Sequence, residues 1–160
     1  MRRLLLLPLL ALAGAASGET ISGKVVSVAD GDTLTVEDKS SKRHRIRLAE
    51  IDAPERKQAY GARSRRSLAT ICMQKPAVVE TVATDANQRL VGKVSCAGID
   101  AGTEQVRRGM AWVFTSAILP NSPLPEMEAN ARLRAIGLWA GEKPEPPWEW
   151  RKRQPAATKK

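Results

Sequence analysis

Three β-strand patterns follow one another near the start of the chain, with only short turns between them. Residues 21–29, 33–37 and 44–51 are rich in β-branched residues or alternate between apolar and polar positions, which is the period of a strand. Asp30-Gly31-Asp32 and residues 39–42 supply the turns. Connections this short join antiparallel neighbours. The pattern therefore predicts a meander of consecutive strands, in which the first turn lies close to the third strand.

Strand and helix patterns alternate along the rest of the chain. We expect further strands at residues 77–83 and 90–96, and helices at residues 54–73, 102–108 and 125–136. For the Pro- and Trp-rich residues 144–150 we expect irregular structure packed on the domain. Five short strands with interspersed helices predict an α+β domain, and a small closed barrel is the natural shape for them.

The first 18 residues have the layout of a secretory signal peptide. Two arginines precede a Leu-rich run over residues 4–12, and small residues fill positions 13–18. The apolar run is shorter than the roughly 20 residues that a membrane span needs. We therefore expect export to the periplasm or the extracellular space, without stable insertion into a membrane. The mature chain then divides into a domain at residues 19–143 and a Pro/Trp-containing, basic tail at residues 144–160.

The net charge of the chain is +9, which favours an acidic partner such as nucleic acid. Most of this excess lies outside the predicted domain. Two of the positive charges belong to the leader and five to residues 151–160, so residues 19–150 carry only +2. We expect that basic, Pro- and Ala-containing end to be disordered. The placement of the charges is therefore better evidence for function than their total.

Cys72 and Cys96 are the two cysteines of the chain, and His44 is its one histidine. Paired cysteines in an exported protein predict a disulfide bond, although two buried free thiols fit the same count. A disulfide here would contribute on the order of 3 kcal/mol by the chain-entropy model. These counts exclude a four-cysteine zinc site, a multi-histidine metal site and any mechanism with two histidines as acid and base.

The third strand pattern places arginines on one face. In residues 43–48 (RHRIRL) the arginines occupy alternate positions, so they share the face opposite the core. Asp52 and Glu55 follow directly, and the meander brings Asp30 and Asp32 beside them. Carboxylates clustered beside arginines suit a hard cation such as Ca²⁺ next to a bound phosphodiester. His44 lies on the core-facing side of this strand, which predicts a structural role.

These charged segments belong to a longer ordered set of motifs. The set comprises Asp30-Gly31-Asp32-Thr33, residues 46–55 (IRLAEIDAPE), Tyr60-Gly61, Asp85, Arg89, residues 106–111 (VRRGMA) and Gly137-Leu138-Trp139. It covers about residues 20–140 and resembles the staphylococcal nuclease (thermonuclease) family. The ending over residues 146–152 (PPWEWRK) is similar to the exported bacterial branch of that family.

The resemblance implies a fold and an activity. The fold is an OB-fold five-stranded Greek-key β-barrel with three α-helices. The activity is Ca²⁺-dependent endonucleolytic hydrolysis of phosphodiester bonds in DNA and RNA, which leaves 3′-phosphate ends. We expect a monomer that takes one divalent cation.

The resemblance also implies roles for individual residues. Asp32 and Asp52 match the carboxylate metal ligands, and Ala53 matches a ligand through its backbone carbonyl. Asp30 and Thr33 match residues that support the metal-binding turn. Arg47 and Arg89 match the arginines that bind the phosphate, and Glu55 matches the general base that acts through a metal-associated water. Weaker nucleic-acid contacts are assigned to Arg45, Tyr60 and Arg63.

The sequence departs from the family at two tyrosines. Asn87 occupies the Tyr position of the family's Tyr-Gly-Arg run, and Thr115 lies where a second family tyrosine falls. With aromatic residues at 4% of the chain, base stacking is limited, so we expect weaker and less base-selective binding. The basic residues of the first helix either follow the nucleic-acid backbone or form an ordinary solvated face.

Two other function classes stay open at this point. One is a nucleic-acid-binding OB module without catalysis, which the presence of the complete charged set disfavours. The other is a protein that binds anionic cell-surface polymers through its basic tail. Cleavage of nucleic acid would separate the first reading from both alternatives.

Overall fold

The computed structural model of the protein describes residues 18–154. The predicted signal peptide, apart from Gly18, and the final residues 155–160 lie outside the described residues. The described chain forms the strands β1 (Thr20–Val28), β2 (Thr33–Asp38), β3 (Arg43–Leu48), β4 (Ile51–Asp52), β5 (Pro76–Thr84), β6 (Leu90–Cys96), β7 (Ile99–Asp100) and β8 (Trp112–Val113). Its helices are α1 (Gly61–Cys72), α2 (Ala101–Arg107), α3 (Leu124–Leu133) and α4 (Pro147–Lys152), with 3-10 turns at Thr115–Ala117 and Gly137–Ala140.

Five of the strands close into a barrel. β3, β2, β1, β5 and β6 are hydrogen-bonded in that order, each antiparallel to the next. A parallel pairing between β3 and β6 closes the ring. This is the strand arrangement of the OB-fold, and together with the helices it confirms the α+β class and the predicted barrel.

The barrel interior is filled from alternate strand positions. Leu34, Val36 and Ile46 are fully buried, and Leu68 and Ile71 of α1 cover the same core. Because successive side chains of a strand point to opposite faces, the burial of Ile46 leaves the arginines of β3 on the outer side. The arginines therefore lie on the outer face of β3, and the last of them, Arg47, lies close to the start of β4.

The predicted disulfide between Cys72 and Cys96 is present, with Cα atoms 5.1 Å apart. It joins the C-terminal end of α1 to the end of β6. Both residues are fully buried in the barrel core. The bond therefore fastens the helix to the sheet that it covers.

The predicted first helix, over residues 54–73, is too long at its N-terminal end. Residues 54–60 form turns, and α1 begins at Gly61. The side chain of Gln58 accepts a hydrogen bond from the Glu55 amide at 3.1 Å. A Cβ added to Gly61 would lie 2.0 Å from the Glu55 carbonyl oxygen, so glycine is needed where the turns meet the helix. These turns keep Glu55 in a loop rather than on a helix face.

The prediction of irregular structure near the C-terminus is wrong over Pro147–Lys152, which form α4. Proline is favourable in the first turn of a helix, because its missing N–H would have no partner there. Trp148 of this helix lies against Phe114, with ring centroids 6.0 Å apart. Trp112 and Trp139 pack edge to face at 5.2 Å. No helix between residues 18 and 154 has the length and hydropathy of a membrane span.

Candidate functional site

The turn between β1 and β2 carries the first two acidic residues of the site. The Asp32 amide donates to the Asp30 carboxylate at 3.2 Å. Gly31 between them has no room for a side chain, since an added Cβ would lie 1.8 Å from the Ser64 hydroxyl oxygen and 2.7 Å from the Ala53 Cβ. The turn can therefore lie directly against α1 and the loop after β4.

Arg47 of β3 bridges two buried aspartates. Its Nη1 lies 3.4 Å from Asp32 Oδ2, and its Nη2 lies 3.1 Å from Asp52 Oδ1. Asp32 is 4% exposed and Asp52 is 1% exposed. The Leu48 amide donates to the Asp32 carbonyl at 2.8 Å, which places the turn beside β3. The structure thus brings together the three charges that the meander predicts to be neighbours.

Asp32 lies in a setting that disfavours its charged form. Burial raises the pKa of Asp32 to about 7, and the charges of Asp30 and Asp52 act in the same direction. The charge of Arg47 and the hydrogen bond from the Ala53 amide oppose the shift. Burial acts to lower the pKa of Arg47, but the two aspartates outweigh it and raise that pKa. A further cation close to Asp32 would therefore stabilise its charged form.

The loop after β4 brings Ala53 and Glu55 to the same place. The Ala53 amide donates to Asp32 Oδ2 at 2.9 Å. On the other side, the Thr33 hydroxyl donates to Asp32 Oδ1 at 2.9 Å. The Glu55 side chain is 36% exposed, so its carboxylate is accessible to water, unlike those of the aspartates.

Arg89 is held by Asp85, a residue of the family pattern to which sequence analysis gave no role. Nε and Nη2 of Arg89 each lie 2.7 Å from Asp85 Oδ2. Nη1 points toward the Thr33 hydroxyl, 3.4 Å away. Burial acts to raise the pKa of Asp85, but the hydrogen bonds from Arg89 outweigh it and lower that pKa. The guanidinium is thereby fixed near the turn.

Most of these charged groups line one cavity of about 400 Å³, but Asp52 and Asp85 are not among its lining residues. Its lining residues are Asp30, Asp32, Arg47, Ala53, Pro54, Glu55, Asn87, Arg89 and Arg151. A larger cavity of about 620 Å³ lies against β1, β2 and β5 and contains none of the predicted site residues. We take the smaller, charged cavity as the site because guanidinium groups beside carboxylates provide both anion binding and acid–base chemistry.

Oxygen atoms in this cavity, together with those of the buried Asp52 next to Arg47, fit a hard divalent cation. The carboxylates of Asp32 and Asp52 and a backbone carbonyl such as that of Ala53 are ligands that Ca²⁺ and Mg²⁺ prefer. Burial is the main cause of the raised pKa of Asp32, and a cation bound to its carboxylate would oppose that effect. Residues 18–154 contain no group of three or more His, Cys, Asp and Glu side chains that could hold a metal ion. A cation here would therefore take its other ligands from the backbone and from water.

The three weaker predicted contacts lie outside the lining of this cavity. Arg45 is exposed on β3. Tyr60 and Arg63 stack on each other, with the guanidinium carbon 4.9 Å from the ring centroid. They line a separate groove of about 420 Å³ together with Arg56 and Arg66. Tyr60 and Arg63 thus belong to a basic groove that is separate from the charged cavity, and Arg45 lines neither.

Arg151 is the residue of the site that sequence analysis missed, because its segment was expected to be a disordered tail. Its Nη2 lies 2.6 Å from Asp52 Oδ2, and its Nη1 lies 2.9 Å from Glu55 Oε1. The hydrogen bond to Asp52 contributes most to raising the pKa of Arg151. A contact with Asp52 across 99 positions of sequence leaves no trace in local patterns.

Comparison with known proteins relates this chain to one family and to several curated proteins. Residues 45–141 match the family described as staphylococcal nuclease homologue. An uncharacterized endonuclease of Haemophilus influenzae is 36% identical over 157 residues, which cover 96% of this chain and 87% of that protein. An uncharacterized endonuclease of Escherichia coli is 40% identical over 135 residues (84% and 87%). The micrococcal nuclease of Shigella flexneri is 34% identical over 146 residues (85% and 83%).

Proposed function

The chain belongs to the staphylococcal nuclease homologue family and is a nuclease, and we propose that it is an exported, Ca²⁺-dependent endonuclease that cuts DNA and RNA and leaves 3′-phosphate ends. One observation carries the proposal. Arg47 sits between Asp32 and Asp52, and Arg89 lines the same cavity of about 400 Å³. The cavity, together with the buried Asp52 that contacts Arg47, thus combines two phosphate-binding groups with the oxygen donors for one cation.

The chemistry assigns a task to each side chain. Arg47 and Arg89 hold the scissile phosphate and stabilise the negative charge that gathers on its oxygens. The partly exposed Glu55 accepts a proton from the attacking water. The water oxygen bonds to phosphorus, the bond from phosphorus to the 5′-oxygen breaks, and that oxygen takes a proton from solvent. The break leaves phosphate on the 3′ end.

Asp32, Asp52 and the carbonyl of Ala53 are the residues that would hold the cation. The chemistry that a divalent cation supplies at such a site is charge neutralisation at the phosphate and a lowered pKa for bound water. Asp30 and Thr33 serve this set indirectly, because both form hydrogen bonds within the turn that carries Asp32.

A nucleic-acid chain in the cavity would continue over the basic groove. The stacked pair of Tyr60 and Arg63, together with the exposed Arg45, offers contacts to the sugar-phosphate backbone without reading bases. Replacing Arg45 and Arg63 by Ala together should weaken binding for all sequences and flatten its salt dependence.

The test is cleavage by the purified protein of single-stranded and duplex DNA and of RNA, in Ca²⁺ or in chelator. Arg47→Ala should lower the rate about 10²- to 10³-fold, and Glu55→Gln about 10²- to 10⁴-fold. Arg43→Ala and Glu37→Gln are matched controls, since these residues pair with each other at the surface. End-group analysis of the products then identifies which P–O bond breaks.

Each result has a defined meaning. Equal rates for the controls and the two site variants would reject the roles of Arg47 and Glu55. Binding of nucleic acid without cleavage in any metal would favour the alternative of a non-catalytic OB module. Cleavage that survives the chelator would reject the dependence on Ca²⁺.

The proposal of export rests on the leader pattern of residues 1–18. The disulfide of the domain supports it, because disulfides form and persist in oxidising compartments. Mass spectrometry of the protein from the periplasm and the medium of its bacterial host should find a chain that begins near residue 19. Sedimentation of that protein should give the mass of a monomer. An intact leader on cytoplasmic protein would reject the export proposal.

A further inference from the structure

The guanidinium of Arg151 contacts two carboxylates of the site, those of Asp52 and Glu55. Its Nη2 lies 2.6 Å from Asp52 Oδ2, and its Nη1 lies 3.2 Å from Asp52 Oδ1 and 2.9 Å from Glu55 Oε1. One cationic group therefore contacts a proposed metal ligand and the proposed general base at the same time. Such a forked contact is the strongest form of arginine–carboxylate pairing.

The position of Arg151 is set by the packing of α4 rather than by a loose tail. Trp148, in the first turn of α4, lies against Phe114. Arg153, directly after the last turn, pairs with Glu145, which precedes the helix. The side-chain amide of Gln58 donates to the Glu145 carbonyl at 2.7 Å. These contacts tie α4 to the loop that carries Glu55, so the helix delivers the guanidinium to one defined place.

Both carboxylate oxygens of Asp52 are in use. Arg47 contacts Oδ1, and Arg151 contacts both Oδ1 and Oδ2. Asp52 is 1% exposed, so a buried carboxylate of this kind needs a positive partner. A divalent cation that takes Asp52 as a ligand meets an arginine already in contact with the same oxygens.

We propose that Arg151 is a positioning residue that acts as an internal competitor of the divalent cation: it neutralises Asp52 and holds Glu55 until the cation displaces its guanidinium. The inference rests on the proposed function, because it takes Asp52 as a metal ligand. It makes α4 part of the site, since cation binding works against the contacts that dock this helix.

Cation affinity is the quantity that tests the competition. Calcium binding to the purified, metal-free protein is measured by titration calorimetry for wild type, Arg151→Gln, Arg151→Lys and Lys152→Gln. Removing a positive charge next to a ligand carboxylate should tighten Ca²⁺ binding by Arg151→Gln about ten-fold or more. Arg151→Lys keeps the charge but loses the fork, so its affinity should lie between those of Arg151→Gln and wild type.

Lys152→Gln is the matched control, because it removes one positive charge from the same helix while its partner Glu149 lies on that helix, exposed and outside the site. Its affinity should stay within about two-fold of wild type. Circular dichroism and thermal unfolding establish that each variant is folded. A merely structural role for Arg151 predicts the opposite sign, since damage to the site weakens binding.

The outcomes separate this inference from the function on which it rests. Equal or weaker Ca²⁺ binding by Arg151→Gln, or an equal gain in Lys152→Gln, would overturn the competition and leave the nuclease proposal intact. The absence of Ca²⁺ binding in all four proteins would overturn both the calcium dependence and the competition. The inference is supported if Arg151→Gln binds Ca²⁺ more tightly than wild type, Arg151→Lys has an intermediate affinity, and the control binds like wild type.

Discussion

The side-chain Nε2 of Gln105 donates to the carbonyl oxygen of Gly31 across 2.7 Å. Gln105 belongs to α2 and is fully buried, whereas Gly31 is the centre of the turn that carries Asp30 and Asp32. The same nitrogen reaches the carbonyl of Ser64 in α1 at 3.1 Å. One amide group thereby ties the acidic turn to two helices.

Replacing Gln105 by Leu should destabilise the fold and loosen the turn. The Gly31 carbonyl loses its buried donor, which costs about 1 to 3 kcal/mol. Urea unfolding should show this loss, and cleavage at saturating Ca²⁺ should fall with it because Asp32 is less well placed. Gln154→Leu, at an exposed position, is the control. Unchanged stability of Gln105→Leu would contradict a supporting role.

Asp85 should matter for catalysis although it lies outside the cavity lining. It holds the Arg89 guanidinium through two contacts of 2.7 Å, and Asp85→Asn removes the charge that orients it. We expect kcat/KM for DNA to fall about ten-fold in Asp85→Asn. The loss of kcat/KM should be larger in Arg89→Ala, which lacks the guanidinium itself. Glu80→Gln, an exposed carboxylate on β5, should leave the rate unchanged. A wild-type kcat/KM in Asp85→Asn would show that Arg89 keeps its position without the charge of Asp85.

The disulfide should account for a measurable share of stability. Cys72 and Cys96 are 24 positions apart, and opening a loop of that length costs about 3 kcal/mol by the chain-entropy model. The double variant with Ala at both positions should lose at least this amount in urea unfolding. Reduction of wild type should lower its stability similarly, while reductant should leave the double variant unaffected. Free thiols in denatured, unreduced wild type would contradict the bond.

The contact between Asp38 and His44 should appear in the acid range of the stability profile. His44 Nε2 lies 2.7 Å from Asp38 Oδ2, and this hydrogen bond holds the pKa of Asp38 well below its ordinary value. Below that ordinary value of about 4, the unfolded chain binds a proton that the folded protein resists. The contribution is therefore complete above about pH 4 and is lost as the pH falls through the folded-state pKa.

Unfolding of wild type and Asp38→Asn between pH 7 and pH 2 measures this contribution. Wild type should be the more stable at neutral pH, and the difference should shrink as the solution is acidified. A difference that stays constant across this range would contradict the assigned hydrogen bond. The result also bears on His44, whose partly buried contact with Asp38 gives it a structural role away from the cavity.

Much of the fold and of the site follows from local patterns. The alternation over residues 43–48 determines that Ile46 enters the core and that Arg47 faces outward, because a strand has a period of two. Short turns between consecutive strands then force Asp32 next to Arg47. The barrel was also predictable, because five short strands can each bury one apolar face in only a few arrangements.

The loop before α1 was harder to predict. Residues 54–60 have good helix propensity, yet they form turns because Gln58 bonds the Glu55 amide and the Glu145 carbonyl. A bond to a residue 87 positions away outweighs a preference of a few tenths of a kcal/mol per residue. The position of Glu55, the proposed general base, therefore depends on a contact that helix propensity does not describe.

The sequence by itself determined the order of the strands in the meander and that Asp32 lies near Arg47, and it predicted the disulfide. Its resemblance to a known family added Arg89, and the role of Glu55, to the charged set of Asp32, Arg47 and Asp52. Only the tertiary structure decided that Gln105 supports the acidic turn and that Arg151 lies on Asp52. The reason is physical. Periodicity and turn chemistry act between residues a few positions apart, whereas these two side chains reach partners 74 and 99 positions away. Such contacts exist only once the barrel has closed and the C-terminal helix has docked against it.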